Sequence, residues 1–93
     1  MIDTQSELGL MKGEKALANL TLRARALSMS DPVVRGEHRE SLMAAAYDIN
    51  IALEWLDVRV RNTGLTDDIE SELLVMALEL NVLEHEWFRG DHR

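Results

Sequence analysis

The chain has no cysteine, a single proline and few aromatic residues, which make up 4% of its 93 residues. Without cysteine it can form neither a disulfide framework nor a thiolate metal site. Hydrophobic residues still make up 46%, so any core must be built from Leu, Ala, Val, Ile and Met, a set that favours helices. The composition predicts one all-α domain over residues 1–93, which buries only about 60 to 65% of its unfolded surface on folding.

Long hydrophobic runs are also missing. No uninterrupted apolar stretch approaches the roughly 20 residues of a membrane span, and the segment from Met1 to Gln5 lacks the basic start and apolar core of a signal peptide. We therefore expect a cytoplasmic protein that does not contact a membrane.

Basic charge is scarce in the last third of the chain. The formal net charge is −7, of which residues 1–31 contribute 0, residues 32–64 contribute −1 and residues 65–93 contribute −6. Such a surface repels phosphate backbones, so we expect no direct binding of nucleic acid. The four arginines around the first turn lack interleaved aromatics for base stacking and are interpreted as a solvated, salt-bridged turn: Arg23, Arg25, Arg35 and Arg39.

Apolar residues recur at helical spacing in three stretches, which predict helices over about residues 6–29, 37–62 and 66–89. Ser30, Asp31 and Pro32 form a start signal for the second helix, with Gly36 able to divide off its first turn. Gly64 is suited to end that helix and Thr66 to cap the third. The sequence thus predicts a three-helix bundle.

The second and third helices carry the same apolar pattern, with steps of 4, 3, 4, 3 and 4 residues. The short connection between them then requires an antiparallel hairpin with coiled-coil-like packing. The two rows are Leu42, Ala46, Ile49, Leu53, Leu56 and Val60, and Ile69, Leu73, Met76, Leu80, Leu83 and Trp87.

Both helices also carry apolar residues on the opposite side, whereas a helix on the outside of a small monomer needs only one apolar stripe. On the second helix these are Tyr47, Ile51, Trp55 and Val58; on the third they are Leu74, Val75, Leu78 and Val82. The sequence leaves three alternatives for what packs against these residues: the first helix, a second copy of the chain, or a helix of a different protein. We expect a homodimer, with the partner or dimer interface drawn from Tyr47, Ile51, Trp55, Val58, Leu74, Leu78 and Phe88.

No catalytic or metal-binding pattern accompanies these faces. None of the three histidines has an acid or a histidine three or four residues away, the spacing that helical metal sites use. No serine lies in a strand-turn-helix elbow, and there is no glycine-rich phosphate loop. We expect no enzymatic activity, no catalytic residues, no metal and no cofactor.

One polar feature of the third helix has a regular geometry. Four carboxylates lie within about 40° of one another on it: Asp68, Glu72, Glu79 and Glu86. This acidic row is interpreted either as a contact for a protein with a basic surface or as a flank that pairs with Arg59, Arg39 or the arginines of the first helix.

Together these patterns favour a non-catalytic regulator or inhibitor that binds another protein and acts as a small acidic helical homodimer. One alternative is a phage anti-defence inhibitor, of the anti-CRISPR or anti-restriction type, whose acidic helix imitates a nucleic acid. A second alternative is a structural or assembly component.

Overall fold

The fold was analysed in a computed structural model, which describes the backbone of residues 4–89 and the side chains of residues 13–88. Three helices fill most of this part: α1 (Thr4–Ser28), α2 (Glu37–Thr63) and α3 (Asp67–Arg89), and it contains no strand. The predicted all-α class and the number of helices are confirmed. The helix ends lie within two residues of the predicted ones.

The core forms where one apolar stripe from each helix meets the other two, and each helix contacts both of its neighbours. Its buried members are Leu17, Leu20, Ala24 and Leu27 from α1; Leu42, Ala46, Ile49, Leu53 and Leu56 from α2; and Ile69, Leu73, Leu80, Leu83 and Trp87 from α3. Val60 and Met76 pack against them partly buried. The rows predicted on the second and third helices therefore build the core of an all-α helical bundle. The helical spacing of the first stretch places Leu10 on the same stripe as Leu17, and its side chain lies outside the described residues.

The connection between α2 and α3 has the predicted chemistry. Gly64 adopts a positive φ of 80°, and its N–H donates to the carbonyl of Val60 at 2.8 Å, which satisfies a terminal carbonyl of the helix. The Thr66 hydroxyl accepts from the backbone N–H of Ile69 at 3.3 Å and so caps the start of α3. Leu65, between Gly64 and Thr66, packs against Gly13 of α1. A β-carbon at position 13 would collide with the Leu65 side chain.

The connection between α1 and α2 differs from its predicted form. No helical turn follows Pro32; the chain stays irregular until α2 begins at Glu37, after Gly36 with a φ of 74°. Ser30 does not cap a helix. Its hydroxyl donates to the carbonyl of Leu27 at 3.1 Å and accepts from the indole N–H of Trp87 at 2.9 Å. The Ser30 hydroxyl thus contacts Trp87 of α3, which is distant in sequence, instead of capping the start of α2.

Polar side chains fasten α1 to the other two helices at the edges of the core. The Arg23 guanidinium donates to both carboxylate oxygens of Glu84, at 2.7 and 3.0 Å, and to the Asn81 side chain at 2.6 Å. The hydrogen bond with Glu84 raises the pKa of Arg23. On the other side, the Asn50 amide donates to the carbonyl of Ala24 at 3.2 Å. These contacts fix which sides of α2 and α3 face α1.

Candidate interaction surface

The outward face of α2, defined as Tyr47, Ile51, Trp55 and Val58, is exposed. Tyr47 and Trp55 keep 66% and 65% of their surface accessible, and Ile51, the least open, keeps 37%. The interpretation in which the first helix covers this face is therefore wrong. Four apolar side chains, two of them aromatic, lie open on a chain that has only four aromatic residues.

The reason lies in how α1 and α3 flank α2. Asn50, on one side of the core stripe, bonds to α1, and Arg59, on the other side, bonds to Glu72 of α3 at 3.0 Å. Both neighbours thus contact the sides of the core stripe, and the residues about 180° from it remain outside. A bundle of three helices leaves such a face on each helix, and on α2 this face is apolar.

The two aromatic residues of the outward face of α2 are placed symmetrically about its centre. Tyr47 and Trp55 lie four residues before and after Ile51, so each is one turn away from it. A face of this kind is complementary to a second copy of itself running in the opposite direction.

The outward face of α3 carries a mainly apolar stripe, which we call the α3 stripe: Ser71, Leu74, Val75, Leu78, Val82 and His85. All six side chains are exposed, and Leu78 keeps 65% of its surface accessible. Five of them, Ser71, Val75, Leu78, Val82 and His85, follow steps of 4, 3, 4 and 3 residues, the spacing of a coiled-coil seam. The helix therefore has a second seam in addition to the one in the core.

The acidic row of Asp68, Glu72, Glu79 and Glu86 lies beside this stripe, on the side of α3 that faces α2. Glu72 pairs with Arg59 at 3.0 Å, as one interpretation expected, and Glu86 pairs with His38 at 3.0 Å. Arg39 pairs with Asp31 at 3.1 Å instead of with the row. Among the residues that the structure describes, Asp68 and Glu79 have no ion pair. The row thus serves partly to join α2 and α3.

A groove of about 540 Å³ runs between α2 and α3 along this edge. Its apolar lining comes from both helices, including Ala45, Leu78 and Val82, and three carboxylates line it as well, those of Asp48, Glu79 and Glu86. No lysine or arginine lines it. The groove therefore combines an apolar surface with an acidic border.

Trp87 and Phe88, near the end of α3, differ in exposure as their spacing predicts. Trp87 is 1% exposed and belongs to the core, whereas Phe88 is 58% exposed. Close to them lies an exposed residue that the sequence did not single out: Val33, whose N–H donates to the carbonyl of Trp87 at 2.8 Å. Val33 is part of an irregular connection, where periodicity gives no signal.

Among the described residues, neither a metal site nor a membrane span accompanies these surfaces. No group of three or more histidine and acidic side chains among them is placed to hold a metal ion. No described helix is both long and apolar enough to cross a membrane. Comparison with models of protein families, with curated proteins and with solved structures finds no match to the chain.

Proposed function

We propose that the protein is a non-catalytic regulator or inhibitor that acts as a homodimer and binds another protein. The observation that carries this proposal is the exposure of large apolar side chains on the outward faces of two helices of one small bundle. Contiguous apolar surface on a small protein is typical of a site for protein association.

The exposure of individual side chains on these faces supports association. Tyr47 and Trp55 on α2 and Leu74 and Leu78 on α3 each keep about two thirds of their surface accessible. Large apolar side chains that lie together at this exposure are typical of the core of a protein interface.

Within each copy we propose that α2 and α3 form the antiparallel hairpin that the sequence predicts. Two contacts between side chains support this arrangement. Arg59, near the end of α2, pairs with Glu72 near the start of α3, and the Nε2 of His38, near the start of α2, lies 3.0 Å from Glu86 near the end of α3.

Between copies, the outward face of α2 is the better dimer seam because it is complementary to itself. A two-fold axis through Ile51 places Tyr47 of one copy beside Trp55 of the other, an aromatic pair that adds about 0.5 to 1.5 kcal/mol beyond its buried area. The α3 stripe then remains open for a different protein.

A nucleic-acid mimic is the weaker proposal. A mimic needs carboxylates that face solvent in a phosphate-like row, and in the acidic row Glu72 pairs with Arg59 and Glu86 contacts the imidazole of His38. Direct pairing of this kind reduces the field that a nucleic-acid binding protein would recognise.

The homodimer is tested by placing a charge at the centre of the seam. Ile51→Glu would bury a carboxylate without a partner, so we expect the dissociation constant of the dimer to rise at least about tenfold. Sedimentation equilibrium at micromolar concentration measures this constant, and circular dichroism checks that the helices persist.

The matched control is Leu22→Glu, which changes an exposed leucine of α1 that lines the groove between α1 and α2 and is not part of the outward face of α2; it should leave the dimer intact. A wild-type chain that sediments as a monomer would contradict the homodimer. A dimer unaffected by Ile51→Glu would show that another face forms the contact, and species larger than a dimer would favour the structural role.

A further inference from the structure

We infer that the α3 stripe binds a basic amphipathic helix of another protein, with apolar residues at coiled-coil spacing and Lys or Arg on both flanks. This inference rests on the proposed function, since it specifies the partner that the proposed regulator would bind. Its basis is the combination of an exposed apolar seam with carboxylates along both of its edges.

The shape of the stripe fits a helix. From Ser71 to His85 it extends over about 21 Å, or four turns, and its 4-3-4-3 spacing matches the knobs-into-holes packing of one helix on another. Exposed Leu78 lies at the centre, with Val75 and Val82 on either side. A helix that places its own apolar row on this seam would bury all three.

The charge of both edges selects the sign of the partner. Glu72, Glu79 and Glu86 follow the edge of the stripe that faces α2, and Glu70 and Glu84 lie on the side that faces α1. Arg59 pairs with Glu72, and Arg23 pairs with Glu84 and lines the same groove as Glu70. The Nε2 of His38 lies 3.0 Å from Glu86. Glu79 has no ion pair among the described residues and lines the same groove as Asp48, so that groove has acidic side chains from both of its helices.

This pattern disfavours a second copy on the α3 stripe. Two α3 helices packed along their stripes would bring carboxylate edges against carboxylate edges, and like charges at the flanks of a helical seam destabilise it. Anionic lipid surfaces and nucleic acid carry the same sign and are repelled as well. A partner with basic flanks attracts both edges and leaves no buried charge unpaired.

The partner class is tested with synthetic helices of about three heptads. One peptide has Leu at the seam positions and Lys at the flanks, a second has Glu at the flanks, and a third contains the residues of the first in scrambled order. Fluorescence anisotropy measures their binding to the wild-type chain. We expect the Lys-flanked peptide to bind at least about tenfold more tightly than the scrambled one and to weaken as salt rises. The Glu-flanked peptide should not bind.

Variants of the chain locate the site. Leu78→Glu should weaken binding of the Lys-flanked peptide at least about tenfold, because it places a charge in the seam, whereas Leu22→Glu should not change it. Glu79→Gln should weaken binding several-fold and reduce its salt dependence, while Glu14→Gln, an exposed acid of α1, should not. Circular dichroism confirms that each variant remains helical.

The inference is overturned if the scrambled or the Glu-flanked peptide binds as tightly as the Lys-flanked one, or if Leu78→Glu leaves binding unchanged. It can be separated from the dimer with Ile51→Glu, which changes α2 alone. A monomeric Ile51→Glu chain that still binds the Lys-flanked peptide supports both proposals. A wild-type monomer that binds this peptide through Leu78 removes the dimer and retains the site.

Discussion

At the scale of single residues, the two tryptophans show how position decides role. Trp87 continues the 4-3 row of the core and is 1% exposed, whereas Trp55 lies on the outward face of α2 and is 65% exposed. Trp87 is also the only one of the two with a hydrogen bond from its indole among the described residues, to the hydroxyl of Ser30 at 2.9 Å. The buried tryptophan thus closes the end of the core against the α1–α2 connection.

We expect Ser30→Ala to lower the free energy of unfolding by about 1 to 3 kcal/mol, because it leaves the buried indole N–H of Trp87 without an acceptor. Urea denaturation followed by circular dichroism measures this change, with all variants compared at one protein concentration because the proposed dimerisation would add to stability. Ser41→Ala, which changes an exposed serine of α2, is the control and should lie within about 0.5 kcal/mol of the wild type.

The hydrogen bond itself is isolated by combining Ser30→Ala with Trp87→Phe. If the two residues interact as described, the effect of the double variant should be smaller than the sum of the single effects, by about 0.5 kcal/mol or more. Strictly additive effects would show that the contact between Ser30 and Trp87 does not contribute to stability.

At the scale of elements, periodicity was sufficient for the helices and insufficient for the first connection. The 4-3 rows specify the core because a helix repeats every 3.6 residues and a buried stripe must follow that repeat. The Gly64 and Thr66 signals act on their own helix ends, so they too could be predicted locally. The signal at Ser30 was wrong because the serine hydroxyl bonds to Trp87, 57 positions away in sequence. A prediction from neighbouring residues cannot find that contact.

The candidate surface, too, could be predicted from the sequence only in part. The apolar residues of the outward faces could be found from the sequence, since they repeat at helical spacing. Whether α1 covered Tyr47 and Trp55 depended on which side of α2 it packs against, and that is fixed by tertiary contacts such as the one between Asn50 and Ala24. The pairing of Glu86 with His38 was likewise outside what single-sequence patterns indicate.

The packing of α1 on α3 yields a prediction at this scale. Arg23→Lys should lower the free energy of unfolding by about 0.5 to 1 kcal/mol, because lysine cannot donate to both oxygens of Glu84 at once, and this partly exposed pair is screened by solvent. Urea denaturation at low salt measures the change. Arg25→Lys, two positions further along the same helix and exposed, is the control and should have almost no effect. Equal effects of the two variants would contradict a role for Arg23 in holding α1 against α3.

At the scale of the whole molecule, three helices enclose one core and still leave two apolar faces outside. The outward face of α2 carries an aromatic residue four positions to either side of Ile51, and the α3 stripe is bordered by Glu79 and Glu86 on one edge and by Glu70 on the other. These properties suit different occupants: a second copy of the chain for α2, and a helix with basic flanks for α3. On this account the molecule is a dimer with two identical acidic binding faces.

The distance between two identical positions in the dimer tests this account most directly. Because the chain has no cysteine, Ser41→Cys gives a single site for a nitroxide label at an exposed position ten residues before Ile51. Pulsed dipolar electron paramagnetic resonance should then show two labels about 30 Å apart, twice the rise over ten helical residues. The absence of any dipolar signal between chains, or a separation near the roughly 10 Å between the axes of parallel packed helices, would contradict an antiparallel dimer through the outward face of α2.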